Sequence, residues 1–166
     1  MEFKKRYEEL SKKYKLPSYE ELDTEFELLY FQNIMEISFP LRYVRRRIGD
    51  RVNWFIGFFQ GILNPNPSSL INLEESKFFS KEDKDKMVSL VKDMVIFERE
   101  SLILDLAQDE KKDAEFIRNG VKRWTEFKKE LEQYCIKLKE GWKAETSEEE
   151  KEEYFGWIKI KEVEDG

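Results

Sequence analysis

Histidine is absent from this chain of 166 residues, and its absence removes whole classes of active site. Imidazole is the usual general base near neutral pH and the commonest metal ligand in proteins. Zinc centres built on histidine, haem held by histidine, and Ser-His or Cys-His nucleophiles are therefore excluded. Carboxylate chemistry with Mg²⁺ needs no histidine and stays open.

Cysteine is almost as scarce, since the sequence contains Cys135 alone. A single thiol cannot form a disulfide within the chain, which favours a reducing compartment, so we expect a cytoplasmic protein. The first fifteen residues, MEFKKRYEELSKKYK, lack the apolar core of a signal peptide. The longest uncharged run, residues 52–73, contains several Asn and Pro residues and does not predict a membrane span.

Residues that interrupt helices are few, with seven Gly and four Pro, whereas charged and apolar residues each make up 40% of the chain. This balance is typical of a helical protein, and the length suffices for one core. We therefore predict an all-α, single-domain bundle of about five to six helices over residues 1–144. Residues 145–166 form a second segment, an acidic linker followed by a short aromatic tail with a strand-like, extended pattern.

Apolar periodicity and helix-start signals divide the body into segments. We predict helices over residues 1–15, 19–39, 41–63 and 80–107, with a shorter helix ending near Phe79. Ser18 with Glu21, and Ser80 with Asp83, have the spacing of capping boxes. After Ala107 two alternatives stay open. A turn lies within the polar residues 108–113, or the helix runs on to Gly120.

The helix over 80–107 places charged side chains on its apolar face, where Glu98, Ser101 and Asp105 lie among Met94, Phe97 and Leu102. Burying an unpaired carboxylate costs several kcal/mol, so this face needs a cation, a metal or water. Arginines on the preceding long helix supply cations, and we expect Arg45 to pair with Glu98. The complete candidate polar cluster is Asn33, Glu36, Arg45, Arg51, Glu98, Ser101 and Asp105.

Three interpretations of this cluster stay open: a buried network that fixes helix register, a ligand or metal site, and a partly solvated face. For the second, Glu36, Glu98 and Asp105 would hold Mg²⁺ and Arg45 would bind a phosphate. We favour the first, and we assign no catalytic residue, metal or cofactor. The arginine-rich segment RYVRRRIGDR has a phosphate-binding composition, but the net charge of −6 argues against nucleic acid as a partner.

The C-terminal tail is too apolar for a solvated end, because Tyr154, Phe155 and Trp157 precede two isoleucines. Ile158 and Ile160 alternate with lysines, a strand-like pattern with no second strand in the chain to pair with. We expect these aromatic residues to bind a partner and to be dispensable for folding. The leading prediction is an intracellular interaction or scaffold protein without catalytic activity, which binds a protein partner or self-associates. The alternative is a Mg²⁺-dependent hydrolase of a phosphate ester or nucleotide.

Overall fold

The computed structural model describes residues 2–28 and 38–144, and this part of the chain contains six α-helices and no strand. The prediction of an all-α bundle is confirmed. The helices are α1 (Glu2–Tyr14), α2 (Tyr19–Phe26), α3 (Pro40–Leu63), α4 (Leu70–Lys77), α5 (Lys81–Ala107) and α6 (Glu110–Ala144).

Local sequence signals determine where α2, α3 and α5 begin. The hydroxyl of Ser18 accepts the backbone N–H of Glu21, and the Glu21 carboxylate accepts the backbone N–H of Ser18 at 2.7 Å. Ser80 and Asp83 form the same reciprocal pair at the start of α5. Pro40 occupies the first turn of α3, where its missing N–H has no helical partner to lose. Both predicted capping boxes are confirmed.

The prediction of one helix from residue 19 to residue 39 is wrong at its midpoint, because α2 ends at Phe26. Glu27 adopts a left-handed conformation with φ of 53°, and its N–H donates to the Asp23 carbonyl. No glycine marks this position, so the sequence carries no local signal of the break. Residues 29–37 lie outside the described residues.

The turn after α5 settles the choice between the two alternatives for residues 108–120. Gln108 has φ of 49° and closes α5 through its N–H to the Leu104 carbonyl. The Asp109 carboxylate then accepts the N–H groups of Lys111 and Lys112, which begins α6. A break inside residues 108–113 is therefore confirmed, and Gly120 lies inside α6.

Helix α3 lies at the centre of the bundle and contacts each of the other five described helices. Its buried stripe includes Val44, Ile48, Val52 and Phe59, none of them exposed to solvent. Gly49 permits a close crossing with α5, because a Cβ there would lie 3.4 Å from the Ser101 hydroxyl. The crossing brings the polar residues of α3 and α5 together.

Candidate functional site

Arg45 is fully buried and joins α3 to both α5 and α6. Its Nε donates to Asp113 Oδ1 at 2.6 Å. One terminal nitrogen donates to the Ser101 carbonyl and hydroxyl, at 2.5 and 2.7 Å, and the other donates to Asp105. The guanidinium is thus held by two carboxylates and a serine, which is the arrangement a buried charge requires.

The two carboxylates that bind Arg45 have pKa values shifted in opposite directions from the ordinary value. Burial raises the pKa of Asp113, whose side chain is 6% exposed, and the bond from Arg45 only partly offsets this. Burial acts in the same sense on Asp105, but hydrogen bonds from Arg45 and Arg46 hold its pKa below the usual range. The difference follows from depth and from the number of donors, because Asp105 is 26% exposed and meets two arginines.

The predicted pairing of Arg45 with Glu98 is wrong, because Arg45 donates to Ser101, Asp105 and Asp113. Glu98 contacts Arg99, its neighbour on α5, at 3.0 Å, and its side chain is 17% exposed. Glu98 lines a groove that is open to solvent, so it needs no buried cation.

Of the remaining candidates, Arg51 lies at the surface and meets Glu27 of the α2 end at 3.5 Å. Asn33 and Glu36 lie outside the described residues, as do the aromatic tail residues Tyr154, Phe155 and Trp157. The structure therefore brings together Arg45, Ser101 and Asp105, with Glu98 nearby on the groove wall.

Asp113 was missed at the sequence level because it falls in the polar stretch 108–113, where one of the two alternatives places a turn. The structure buries it in the first turn of α6. A signal was present, since Asp113 lies four residues before Ile117 and seven before Gly120, both on the buried face of α6. Once the helix begins at residue 110, that spacing places Asp113 on the core side.

A groove of about 430 Å³ runs between α3 and α5 beside the buried cluster. Its polar lining includes Arg46, Arg47, Asp50, Glu98, Ser101 and Asp105. The arginines here already bind carboxylates, Arg46 to Asp105 at 3.1 Å and Arg47 to Asp50 at 3.0 Å. A phosphate would have to compete with these pairs, so the groove is a poor anion site.

A metal centre is not formed by the described residues, among which no three acidic or cysteine side chains are grouped to hold an ion. Glu98 and Asp105 are two carboxylate residues of one groove, and the third proposed ligand, Glu36, lies outside the described residues. A Mg²⁺ site at this groove would need that third residue.

The outer face of α5 exposes a row of large apolar side chains, which we call the α5 ridge. Its members are Val88, Ile96, Leu102, Ile103 and Leu106, with exposed fractions of 52, 45, 44, 64 and 87%. Leu102 was predicted to lie on the core face of α5 but is exposed. The buried face of α5 consists of Met87, Leu90, Met94, Phe97 and Ser101. The helix is therefore apolar on two sides, and the described part of the chain covers one of them.

None of the described helices is long and apolar enough to cross a membrane. Comparison of the chain with models of known protein families, with curated proteins and with solved structures gives no match.

Proposed function

We propose that the chain is a cytoplasmic interaction or scaffold protein without catalytic activity, which self-associates through the α5 ridge and its C-terminal aromatic residues. Tyr154, Phe155 and Trp157 are the partner-binding residues of the C-terminal segment. A second copy of the chain is the partner to which the proposal commits.

The observation that carries this proposal is the exposure of the α5 ridge. Scattered exposed apolar residues are ordinary, but a contiguous exposed apolar patch is typical of an interaction surface. Ile96 and Ile103 are seven residues apart, and Leu102 and Leu106 are four apart, so these side chains lie on one side of α5. Burying them against another chain removes apolar surface from water, which favours association.

The buried Arg45 cluster has a structural role in this proposal. Arginine hydrogen-bonded to carboxylates from two other helices specifies which helices meet and in what register. The Arg45 guanidinium has no exposed surface that a ligand could reach.

Light scattering over a range of protein concentrations tests the proposal on the full chain. The wild-type mass should rise with concentration, and Leu106→Asp should shift the rise to higher concentration, because a charge on the ridge must be desolvated on association. Ile136→Asp is the matched control, since Ile136 is 51% exposed on α6, a helix that does not carry the ridge. A monomeric mass at every concentration, unchanged by Leu106→Asp, would contradict self-association.

One observation favours a second candidate, a Mg²⁺-dependent phosphate-ester or nucleotide hydrolase. Glu98 and Asp105 line one groove, and carboxylate oxygens are the ligands that Mg²⁺ prefers. If Mg²⁺ binds there with Glu36, it must stabilise the folded state by mass action. Melting in millimolar Mg²⁺ should then exceed melting in EDTA, and Glu98→Gln should abolish the difference. An unchanged Tm, with no turnover across a nucleotide panel, removes this candidate.

A further inference from the structure

We propose that the α5 ridge is covered by a segment of this same chain, residues 154–160, whose sequence is YFGWIKI. The inference rests on the proposed function in one respect, that the ridge is a binding surface. It adds the identity of what binds there.

The first argument is chemical complementarity of the apolar parts. The ridge presents Ile96, Ile103 and Leu106 to solvent along α5. Residues 154–160 contain Tyr154, Phe155, Trp157 and two isoleucines within seven positions. Aromatic and branched side chains of this kind are enriched at the centres of binding surfaces, where they are removed from water. Contact between the ridge and residues 154–160 would remove apolar side chains of both from water.

The second argument is charge. Residues 145–166 contain nine acidic and three basic residues, so they carry the whole net charge of −6, and residues 2–144 are balanced. The charged side chains between the apolar residues of the ridge, Lys92 and Arg99, are both basic and exposed, and Arg99 also meets the Glu98 carboxylate at 3.0 Å. The nine acidic residues lie on either side of residues 154–160, six in residues 145–153 and three in residues 162–165, so the parts of the chain that flank this segment are attracted to the ridge at moderate ionic strength.

The third argument is reach. Helix α6 ends beside α4 and the start of α5, because Lys137 bonds Asp83 and the Trp142 indole donates to Glu75 at 3.1 Å. From Lys81, Ile96 lies about 22 Å along α5 and Leu106 about 38 Å, at ~1.5 Å per residue. Tyr154 can lie up to about 33 Å from Ala144, and Ile160 up to about 53 Å, at ~3.3 Å per residue. The segment is long enough to cover the ridge from Ile96 to Leu106.

Disulfide trapping in the full chain tests this placement, with Cys135→Ser removing the native thiol. Gly156→Cys is combined with Ile103→Cys on the ridge, or with Lys122→Cys as the control. Ile103 lies about 33 Å along α5 from Lys81, and Lys122 lies about 33 Å along α6 from Ala144. Because the C-terminal end of α6 lies beside the start of α5, an undocked C-terminal segment would reach the two positions about equally often. We expect the ridge pair to oxidise about tenfold faster than the control pair, because docking raises the local thiol concentration above that of a free tether.

Charge reversal supplies a second readout. Lys92→Glu, added to the ridge pair, should slow oxidation severalfold, whereas Lys111→Glu, an exposed change at the start of α6, should leave it unchanged. Circular dichroism of each variant checks that the helices are intact. Equal rates for the ridge and control pairs would overturn the inference.

Non-reducing electrophoresis identifies the copy that supplies the segment. A cross-linked monomer shows that each chain covers its own ridge, and a cross-linked dimer shows exchange between two copies; both support the inference. Fast trapping in a chain whose mass never rises with concentration retains the inference and removes self-association. Equal trapping rates in a chain that self-associates through Leu106 remove the inference and retain the proposed function.

Discussion

Arg45 is the residue through which α3, α5 and α6 are joined by buried hydrogen bonds. Replacing it with methionine keeps much of the side-chain volume and removes the charge. Asp113 would then be a buried carboxylate without its cation. We expect Arg45→Met to lower the free energy of unfolding by about 3–5 kcal/mol, measured by urea denaturation. Arg46→Met, which breaks a partly exposed pair with Asp105, should cost under about 1 kcal/mol. Equal losses in the two variants would show that the cluster is solvated.

Asp113 gives this cluster a pH dependence of defined sign. Because burial raises the pKa of Asp113, the folded chain holds a proton on this carboxyl at pH values where the unfolded chain has lost it. The free energy of unfolding of the wild type, relative to Asp113→Asn, should be highest below the ordinary Asp pKa of about 3.9. It should fall as pH rises through the raised folded pKa. Urea denaturation of both proteins between about pH 3 and 7 measures the difference. A difference that grows with pH would contradict this.

The sequence predicted part of this cluster, and the missing part has a physical reason. Helical periodicity was enough to turn Arg45, Ser101 and Asp105 towards the core. The choice between Glu98 and Asp113 as a partner depended on how α6 packs beside α5, which no local pattern encodes. The buried Asp113 required the start of α6 to be placed within a residue, and the polar turn before it gave two alternatives.

At the scale of helices, the starts of α2 and α5 were predictable and one end was not. Each of these two starts has a serine with an acid three residues later, and both signals act within a single turn. The ends at Tyr14, Phe26 and Ala107 are each followed by a non-glycine residue with positive φ, namely Lys15, Glu27 and Gln108. Pro17 signalled the first of these ends and a polar stretch signalled the third. Nothing near Glu27 signalled the second, so α2 was predicted too long.

Two helical glycines should respond oppositely to alanine. Gly57 is exposed on α3, and a Cβ there meets no atom within 4 Å. Gly57→Ala should stabilise the protein by about 0.5–1 kcal/mol through helix propensity. At Gly141 a Cβ would lie 2.5 Å from the Phe78 ring, which packs edge-on against Trp142. Gly141→Ala should therefore lower Tm, in spite of the same gain in propensity. Thermal unfolding of both variants checks the pair, and a rise in Tm for Gly141→Ala would show that the α4–α6 contact yields easily.

At the scale of the whole molecule, the described helices share one core and the C-terminal segment is predicted to lie outside it. A chain ending at Ala144 should keep its helical circular dichroism and nearly its full Tm, because the buried side chains of the described helices pack against one another as one core. Any dimer of the full chain should be lost. Replacing Tyr154, Phe155 and Trp157 with alanine in the full chain is the milder companion variant. Loss of the helical circular dichroism in the shortened chain would place the aromatic residues in the core.

The central position of α3 also determines how the molecule opens from within the native state. Helix α3 contacts all five other described helices. If any one of the five detaches, the remaining four still cover the amides of α3. Its backbone N–H groups should exchange with solvent deuterium only when the whole protein unfolds. Helix α4 is the opposite case, eight residues long with Ser76 as its one buried residue. Its amides should exchange through local opening at a much smaller free energy, so the two helices mark the upper and lower limits of protection in the bundle.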